Sequence, residues 1–394
     1  MGREQKSKTW QTSSALQLVV LLGVLFVLAV TVPNRYLDAA DGIPSHLRGM
    51  VAKLSDFLKS NEDPDVLVLG SSLILVPAVR CDDQFEGREA CYQKWYYYKH
   101  IREYTKVDYL QAQLEEKAGT AISVRNLAVI ASLMSDHAAI LETALRQGKH
   151  PAVVICGIAP RDFMDRGQIH PELSATRLLL SELEDSQDGL LAALSKNPQR
   201  AYPLIEHHLI KLFAATKHFA INTACALSHH PDSLQNAKVA SADSSESEYG
   251  RKLAADLKAY KGIYNPPHMA MLSEQTKDLE RMLAVARQNN VRVVLVNMPL
   301  TQQNISMLEP AARATYERNI SSLANQYGAL FLDANKTEVA YTEADFEDSC
   351  HLNGPGGKKF FDSLSQLVAS DKKILAGLYS RSARAIAAGR SSVH

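Results

Sequence analysis

The apolar and polar positions of this chain fall into three successive patterns. The first is an unbroken apolar run, ALQLVVLLGVLFVLAVTV, from Ala15 to Val32, in which only Gln17 and Thr31 are strongly polar and no residue is charged. A helix buried in a protein core would carry a polar stripe, which this run lacks, and its length just suffices to cross a bilayer. Arg3, Lys6 and Lys8 precede it against the single Glu4. That charge bias predicts residues 1–14 in the cytoplasm, a transmembrane anchor over 15–33, and the remainder extracytoplasmic, either periplasmic or at the cell surface. A cleaved signal peptide is the competing reading, although the run is long for one and no small-x-small site follows before PNRYLDAADG.

The second pattern, IPSHLRGMVAKLSDFLKS, has helical apolar spacing and makes 34–62 a juxtamembrane helical segment. The third is an alternation of short β-rich runs with helical stretches. The runs are DVLVLG (Asp65 to Gly70), ISVRNLAV (Ile122 to Val129), AVVICGI (Ala152 to Ile158), VRVVLVNMP (Val291 to Pro299) and GALFLDA (Gly328 to Ala334). Segments such as DYLQAQLEEKAG and LERMLAVARQNN lie between them and stop at Gly or Asn. This rhythm predicts an α/β domain over 63–378: a doubly wound, flavodoxin-like, five-stranded parallel sheet with helices on both faces. Roughly a hundred residues separate the third run from the fourth, far beyond an ordinary connection. They predict a helical insertion over about 166–268 that either shapes a cleft or forms an accessory cap, with HHPDSLQNAKVASADSSESEYG as a polar loop. Residues 379–394 read as a basic tail.

Composition narrows the picture further. The chain has 394 residues, 46% of them hydrophobic, enough for one large core or two smaller ones. Lys plus Arg equals Asp plus Glu at 43 each, so no overall field draws it to a polyanion, and nucleic acid is not expected as a partner. Five cysteines suit an exported protein without making a disulfide scaffold. Cys81 and Cys91 flank a polar stretch that a disulfide could close, whereas Cys156 sits in an apolar run as a buried thiol.

In an open parallel sheet, ligands bind beyond the carboxyl ends of the strands. Ser71 and Ser72 follow the first run, Asn126 and Ala131 belong to the end of the second, and Arg161 and Asp162 follow the third. Asp348 and His351 lie in DSCHLNGPGG after the fifth. A serine in such a turn is either a nucleophile or a helix cap. A serine hydroxyl needs a base to take its proton, and an imidazole serves if a carboxylate holds its tautomer; a three-residue spacing lets one loop present both. The glycines after His351 predict a turn that aims this loop at the first strand, with KKFFDSLSQLVAS as the closing helix. The aromatic cluster KWYYYKH (Lys94 to His100) reads as packing or as a sugar-stacking surface. Adjacent His207 and His208 diverge on a helix, and no zinc-type spacing occurs elsewhere.

The serine after the first strand, the later Ala131 and Arg161 positions, and the terminal Asp-x-x-His together resemble the SGNH (GDSL-like) hydrolase superfamily over most of the chain after about Asp65. The resemblance implies Ser72 as nucleophile, His351 as general base and Asp348 as its orienting carboxylate. It also implies backbone donors near Ser72 and Ala131 as an oxyanion hole, with Ser71, Asn126 and Arg161 nearby. GSSL stands in place of Gly-Asp-Ser-Leu, Ala131 where the family has glycine, and Arg161 where it has asparagine. Arg161 reads either as a donor to an oxyanion or acidic sugar, or as a structural ion pair. The PRDF sequence and the anchor look most like the envelope branch containing alginate-type polysaccharide O-acetylation proteins and teichoic-acid alanylation proteins. That likeness implies a serine esterase or O-acyltransferase moving acyl groups, acetyl above all, on an envelope polysaccharide, with no metal or organic cofactor and an acyl donor of unspecified kind. A non-catalytic glycan-binding or scaffold subunit of an envelope complex is the alternative.

Overall fold

The computed structural model describes residues 45–88, 104–165, 248–391 and a few positions between 174 and 180. The expected anchor at 15–33, residues 1–14, Cys91, the Lys94 to His100 cluster, His207, His208 and most of the expected insertion lie outside these described residues. No described helix is long and apolar enough to cross a membrane. Contacts divide the chain into two units, one comprising Met1–Ser45 with Leu178–Ala242 and the other His46–Arg177 with Asp243–His394. Apart from Ser45 at the start of the first helix, the second unit holds every element that follows.

Five strands, β1 (Val66–Gly70), β2 (Val124–Asn126), β3 (Val153–Ile158), β4 (Arg292–Asn297) and β5 (Leu330–Asp333), form one parallel sheet. Their order is β2-β1-β3-β4-β5, the doubly wound, flavodoxin-like arrangement. All five expected runs become strands, each shorter than the apolar run that signals it, because the run's ends pass into turns. The central strands β1 and β3 are buried at every residue, which is why VLVLG and VVICGI are apolar without alternation. The edge strands β2 and β5 are the short ones, with three and four residues.

Helices pack in two groups. One comprises α2 (Ser72–Phe85), α3 (Asp108–Ala118), α10 (Gly354–Ser370) and α11 (Lys372–Ser391). The other comprises α4 (Met134–Arg146), α5 (Arg161–Met164), α6 (Glu248–Tyr264), α7 (Met269–Gln288) and α9 (Pro310–Tyr327). The short α8 (Gln302–Ser306) packs on α6, and α1 (Ser45–Lys59) is a helix that buries Leu54, Phe57 and Leu58. Lys53 of α1 is buried and donates to the Tyr104 carbonyl at 2.8 Å; burial, with Arg125 adding to it, lowers its pKa to about 7. Helix α6 falls inside the stretch expected as insertion, yet it packs on α5 and α8 of the sheet unit.

Glycines govern how closely α2 approaches the sheet. Gly70 has φ +148°, and a Cβ there would lie 2.5 Å from Ile74 Cγ2; its register partner Gly157 would meet Ile74 Cβ at 2.9 Å. The two together let the first turn of α2 sit directly over the ends of β1 and β3.

One local expectation is corrected. The stretch after His351 is not a free turn but the start of α10: Asn353 is its N-cap and accepts from the Gly356 N–H at 3.0 Å, with Pro355 in the first turn. The glycines serve close packing, since a Cβ on Gly356 would lie 2.1 Å from the Asp345 carbonyl oxygen and one on Gly357 2.8 Å from that of Pro77. Phe360, Phe361, Leu364 and Val368 then form the buried face that seats α10 on α2 and α3.

Candidate active site

Four chain segments leave the sheet at the same edge and meet there. After β1 the chain turns at Gly70, and Ser71 occupies the N-cap position of α2 without making a side-chain cap hydrogen bond. Its hydroxyl is buried and lies near enough to Asp162 to help hold that carboxyl's pKa down. Ser72, the first residue of α2, is half-buried, and its amide belongs to the helix turn whose N–H groups lack intrahelical acceptors. Neither serine acts as a side-chain cap.

The loop after β5 supplies the rest. An antiparallel bridge between Phe346 and Leu352, with Glu347 N–H donating to the His351 carbonyl at 2.9 Å, pinches residues 347–351 into a tight excursion. Asp348 Oδ1 accepts the N–H groups of Cys350 at 2.9 Å and His351 at 2.8 Å, a side-chain turn that fixes the loop from within. The other oxygen, Oδ2, lies 2.7 Å from His351 Nδ1, and His351 Nε2 lies 2.9 Å from Ser72 Oγ. Thus Ser72, His351 and Asp348 form one hydrogen-bonded line across 279 residues of sequence. An ion pair between Arg80 of α2 and Glu347, at 2.7 Å, ties the loop to the helix that carries Ser72.

The electrostatics follow from this geometry. Burial would raise the Asp348 carboxyl, but His351 and the two backbone N–H donors outweigh it and hold it at about 2. For His351, burial disfavours the charged ring while Cys350 and Asp348 favour it, and the net shift is well above the ordinary histidine value. Burial pushes the Cys350 thiol itself up to about 12, so near neutral pH it carries no charge and Asp348 is the effective partner. The side chains of His351 and Asp348 are 19% and 17% exposed, desolvated yet within reach of a small reagent.

Asp348, Cys350 and His351 also place their donor atoms within 4.8 Å of one another, the arrangement among the described residues that most suits a metal ion. Both ring nitrogens of His351 are already engaged, and a thiol pushed to about 12 is far from the thiolate that metals bind. The cluster fits a proton relay better than a coordination site.

The flanking candidates divide. Val129 N–H donates to the Gly70 carbonyl at 3.0 Å, which runs the segment after β2 alongside the Ser72 turn and brings Ala131 to the same edge. Ala131 has φ +61°, the left-handed backbone that a glycine adopts freely, so the alanine keeps the conformation expected of the residue it replaces. Asn126 is fully buried and structural: its Oδ1 accepts the Ala128 N–H at 2.9 Å and its Nδ2 donates to the Lys106 carbonyl at 3.3 Å. Arg161 pairs with Asp165 at 2.8 Å and with Asp162 at 3.5 Å, so its structural ion-pair reading is realised. Burial raises Asp162 to about 7 against the opposing pull of Arg161. Cys81, expected as one half of a disulfide, is instead a buried free thiol on α2.

Sequence reasoning did not single out Asp256, on α6, which accepts from the Ser349 hydroxyl and lies 3.6 Å from Cys350 Sγ. The signal was present: Asp256, Tyr260 and Tyr264 recur every fourth residue and form one helical face.

A family model described as DltD protein matches residues 234–357, from the end of the expected insertion through α6, β4, β5 and the loop bearing Asp348 and His351. The match supports the teichoic-acid alanylation side of the resemblance and leaves the alginate-type side without support. None of the curated proteins matches the chain.

Proposed function

We propose that this protein is an SGNH-like acyl-transfer enzyme of the cell envelope, anchored by residues 15–33, with Ser72 as nucleophile, His351 as general base and Asp348 as its orienting carboxylate. The observation that carries this reading is the unbroken line from Ser72 Oγ through His351 to Asp348, at 2.9 and 2.7 Å. The partial match to a DltD family favours an alanyl group over the acetyl group, and a teichoic-acid type polymer over other envelope glycans as acceptor.

In the first displacement Ser72 Oγ attacks the acyl carbonyl while its proton passes to His351 Nε2, and the new Oγ–C bond gives a tetrahedral oxyanion. The Ser72 N–H and backbone near Ala131 receive that charge. Collapse expels the donor's leaving group, which takes the proton back from His351, and leaves acyl-Ser72. An acceptor hydroxyl then gives its proton to His351, attacks the acyl carbon and restores Ser72; water in that place makes the protein an esterase.

A fluorophosphonate probe tests the reading. The intact chain should be labelled, and Ser72→Ala should abolish labelling while leaving the fold unchanged. Only neutral His351 can accept the serine proton. Because its pKa is raised, the labelling rate should rise with pH and reach half its maximum above the ordinary histidine value of about 6.5. A well-folded protein that does not label at any pH assigns the fold to a scaffold or binding subunit instead.

A further inference from the structure

The loop bearing Asp348 and His351 is fastened from outside itself by a continuous hydrogen-bond chain. Ser349 is its hub. The Ser349 carbonyl accepts both the N–H and the hydroxyl of Thr301, at 3.2 and 2.9 Å. Its Oγ accepts from Asn304 Nδ2 at 2.9 Å and donates its own proton to Asp256 Oδ2. That same carboxylate oxygen lies 3.6 Å from Cys350 Sγ, and Cys350 Sγ lies 3.4 Å from His351 Nδ1. Thr301 and Asn304 belong to the N-terminus of α8, whereas Asp256 comes from α6, the helix on which the chain returns to the sheet before β4. Ser349 and Cys350 are buried, so these bonds form away from bulk water, where removing one partner leaves the other unsatisfied.

Helix α6 presents more than one group to this place. Tyr260 and Tyr264, one and two turns beyond Asp256, are buried and face Cys350 and Arg161. One helical face therefore closes the back of the loop, while His351 on its front faces Ser72.

We propose that Asp256 is a positioning residue for the His351–Asp348 couple, acting through Ser349 and Cys350. The proposal rests on the acyl-transfer reading for its rate consequences but not for its geometry. Ser349 and Cys350 are the two residues between Asp348 and His351, so a displacement of either changes the distance from His351 to Ser72. An imidazole shifted by a fraction of an ångström loses its alignment with the hydroxyl, and errors of that size are expensive in rate.

The test uses the full chain with Asp256→Ala, Asp256→Asn, Ser349→Ala and the Asp256→Ala/Ser349→Ala double substitution. Two quantities are measured: the rate of fluorophosphonate labelling, resolved into saturation and maximal rate, and the titration of the His351 ring by NMR. The groups facing that ring and its neighbour are Asp348, Cys350, Asp256, Arg161, Tyr260 and Tyr264.

Asp256→Ala should lower the maximal labelling rate about tenfold or more with little change in half-saturation. It should also lower the His351 titration midpoint by about half a pH unit or more, since a nearby negative charge is removed. Asp256→Asn should recover part of the rate but not the midpoint. Ser349→Ala should reproduce the rate loss, and the double substitution should be no slower than the slower single one, because both act through one chain of bonds. Wild-type rates with an unmoved midpoint in Asp256→Ala and Ser349→Ala overturn the proposal, as do losses that multiply in the double variant. If Asp256→Ala does not fold, Asp256→Asn and Ser349→Ala decide. If the wild-type chain is not labelled, the acyl-transfer reading falls while the His351 titration still decides the positioning role.

Discussion

The loops after β5 and β3 reach the same sheet edge and use their charges in opposite ways. In the loop after β5, Asp348 and His351 form a pair whose free end points outward to Ser72, a partner 279 residues away. In the segment after β3, Arg161 is turned onto Asp162 and Asp165, its neighbours one and four residues along. The first pair leaves a ring nitrogen directed at the first residue of α2; the second set is satisfied within its own turn. A charge satisfied by its own helix turn adds rigidity and holds the loop, while a charge satisfied across the sheet edge is available for chemistry. The contrast predicts that substitutions on the two sides fail differently, one in rate and the other in stability.

The sharpest way to break this contrast is at His351. Replacing it by Ala should slow probe labelling by about a thousandfold or more, while the thermal midpoint moves by only a few degrees. A labelling rate close to wild type would show that Ser72 has another base. Arg161→Ala should do the reverse in kind: it strands buried Asp162 and Asp165 without their cation and should cost about 3–5 kcal/mol of stability by denaturant unfolding. If stability holds and labelling collapses instead, the guanidinium serves the oxyanion and the contrast is wrong. The smallest effect belongs to Ala131. Glycine there relieves a left-handed alanine but loosens the unfolded chain, so Ala131→Gly should leave stability unchanged or raise it by up to about 1 kcal/mol. A clear loss would mean that the alanine methyl packs against something the backbone angle does not reveal.

Much of this was legible in the order of residues. VLVLG and VVICGI announce doubly covered strands because a strand buried on both faces has no polar side to show. The Asp348–His351 spacing is local, so one loop could be expected to present both groups. Other features were hidden. Ser71 and Ser72 are chemically identical neighbours, and only their position on the turn makes one a buried hydroxyl beside Asp162 and the other the group facing His351. The NGPGG stretch contains turn residues, yet its glycines are there because Asp345 and Pro77 approach too closely for any Cβ, a constraint set by elements distant in sequence. Asp256 was lost in a stretch read as insertion, where the recurrence of Asp256, Tyr260 and Tyr264 marks a helical face but not the distant loop that this face meets.

By itself, the amino-acid sequence determined the class of fold and the residues able to carry chemistry, because hydrophobic periodicity and side-chain type are properties of short segments. Tertiary structure alone decided which serine meets the imidazole, that Arg161 is spent on its own turn, and that a helix from another part of the chain braces the His351 loop. Those outcomes depend on distances between groups far apart along the chain, and such distances exist only once the sheet has brought its loops to a common edge.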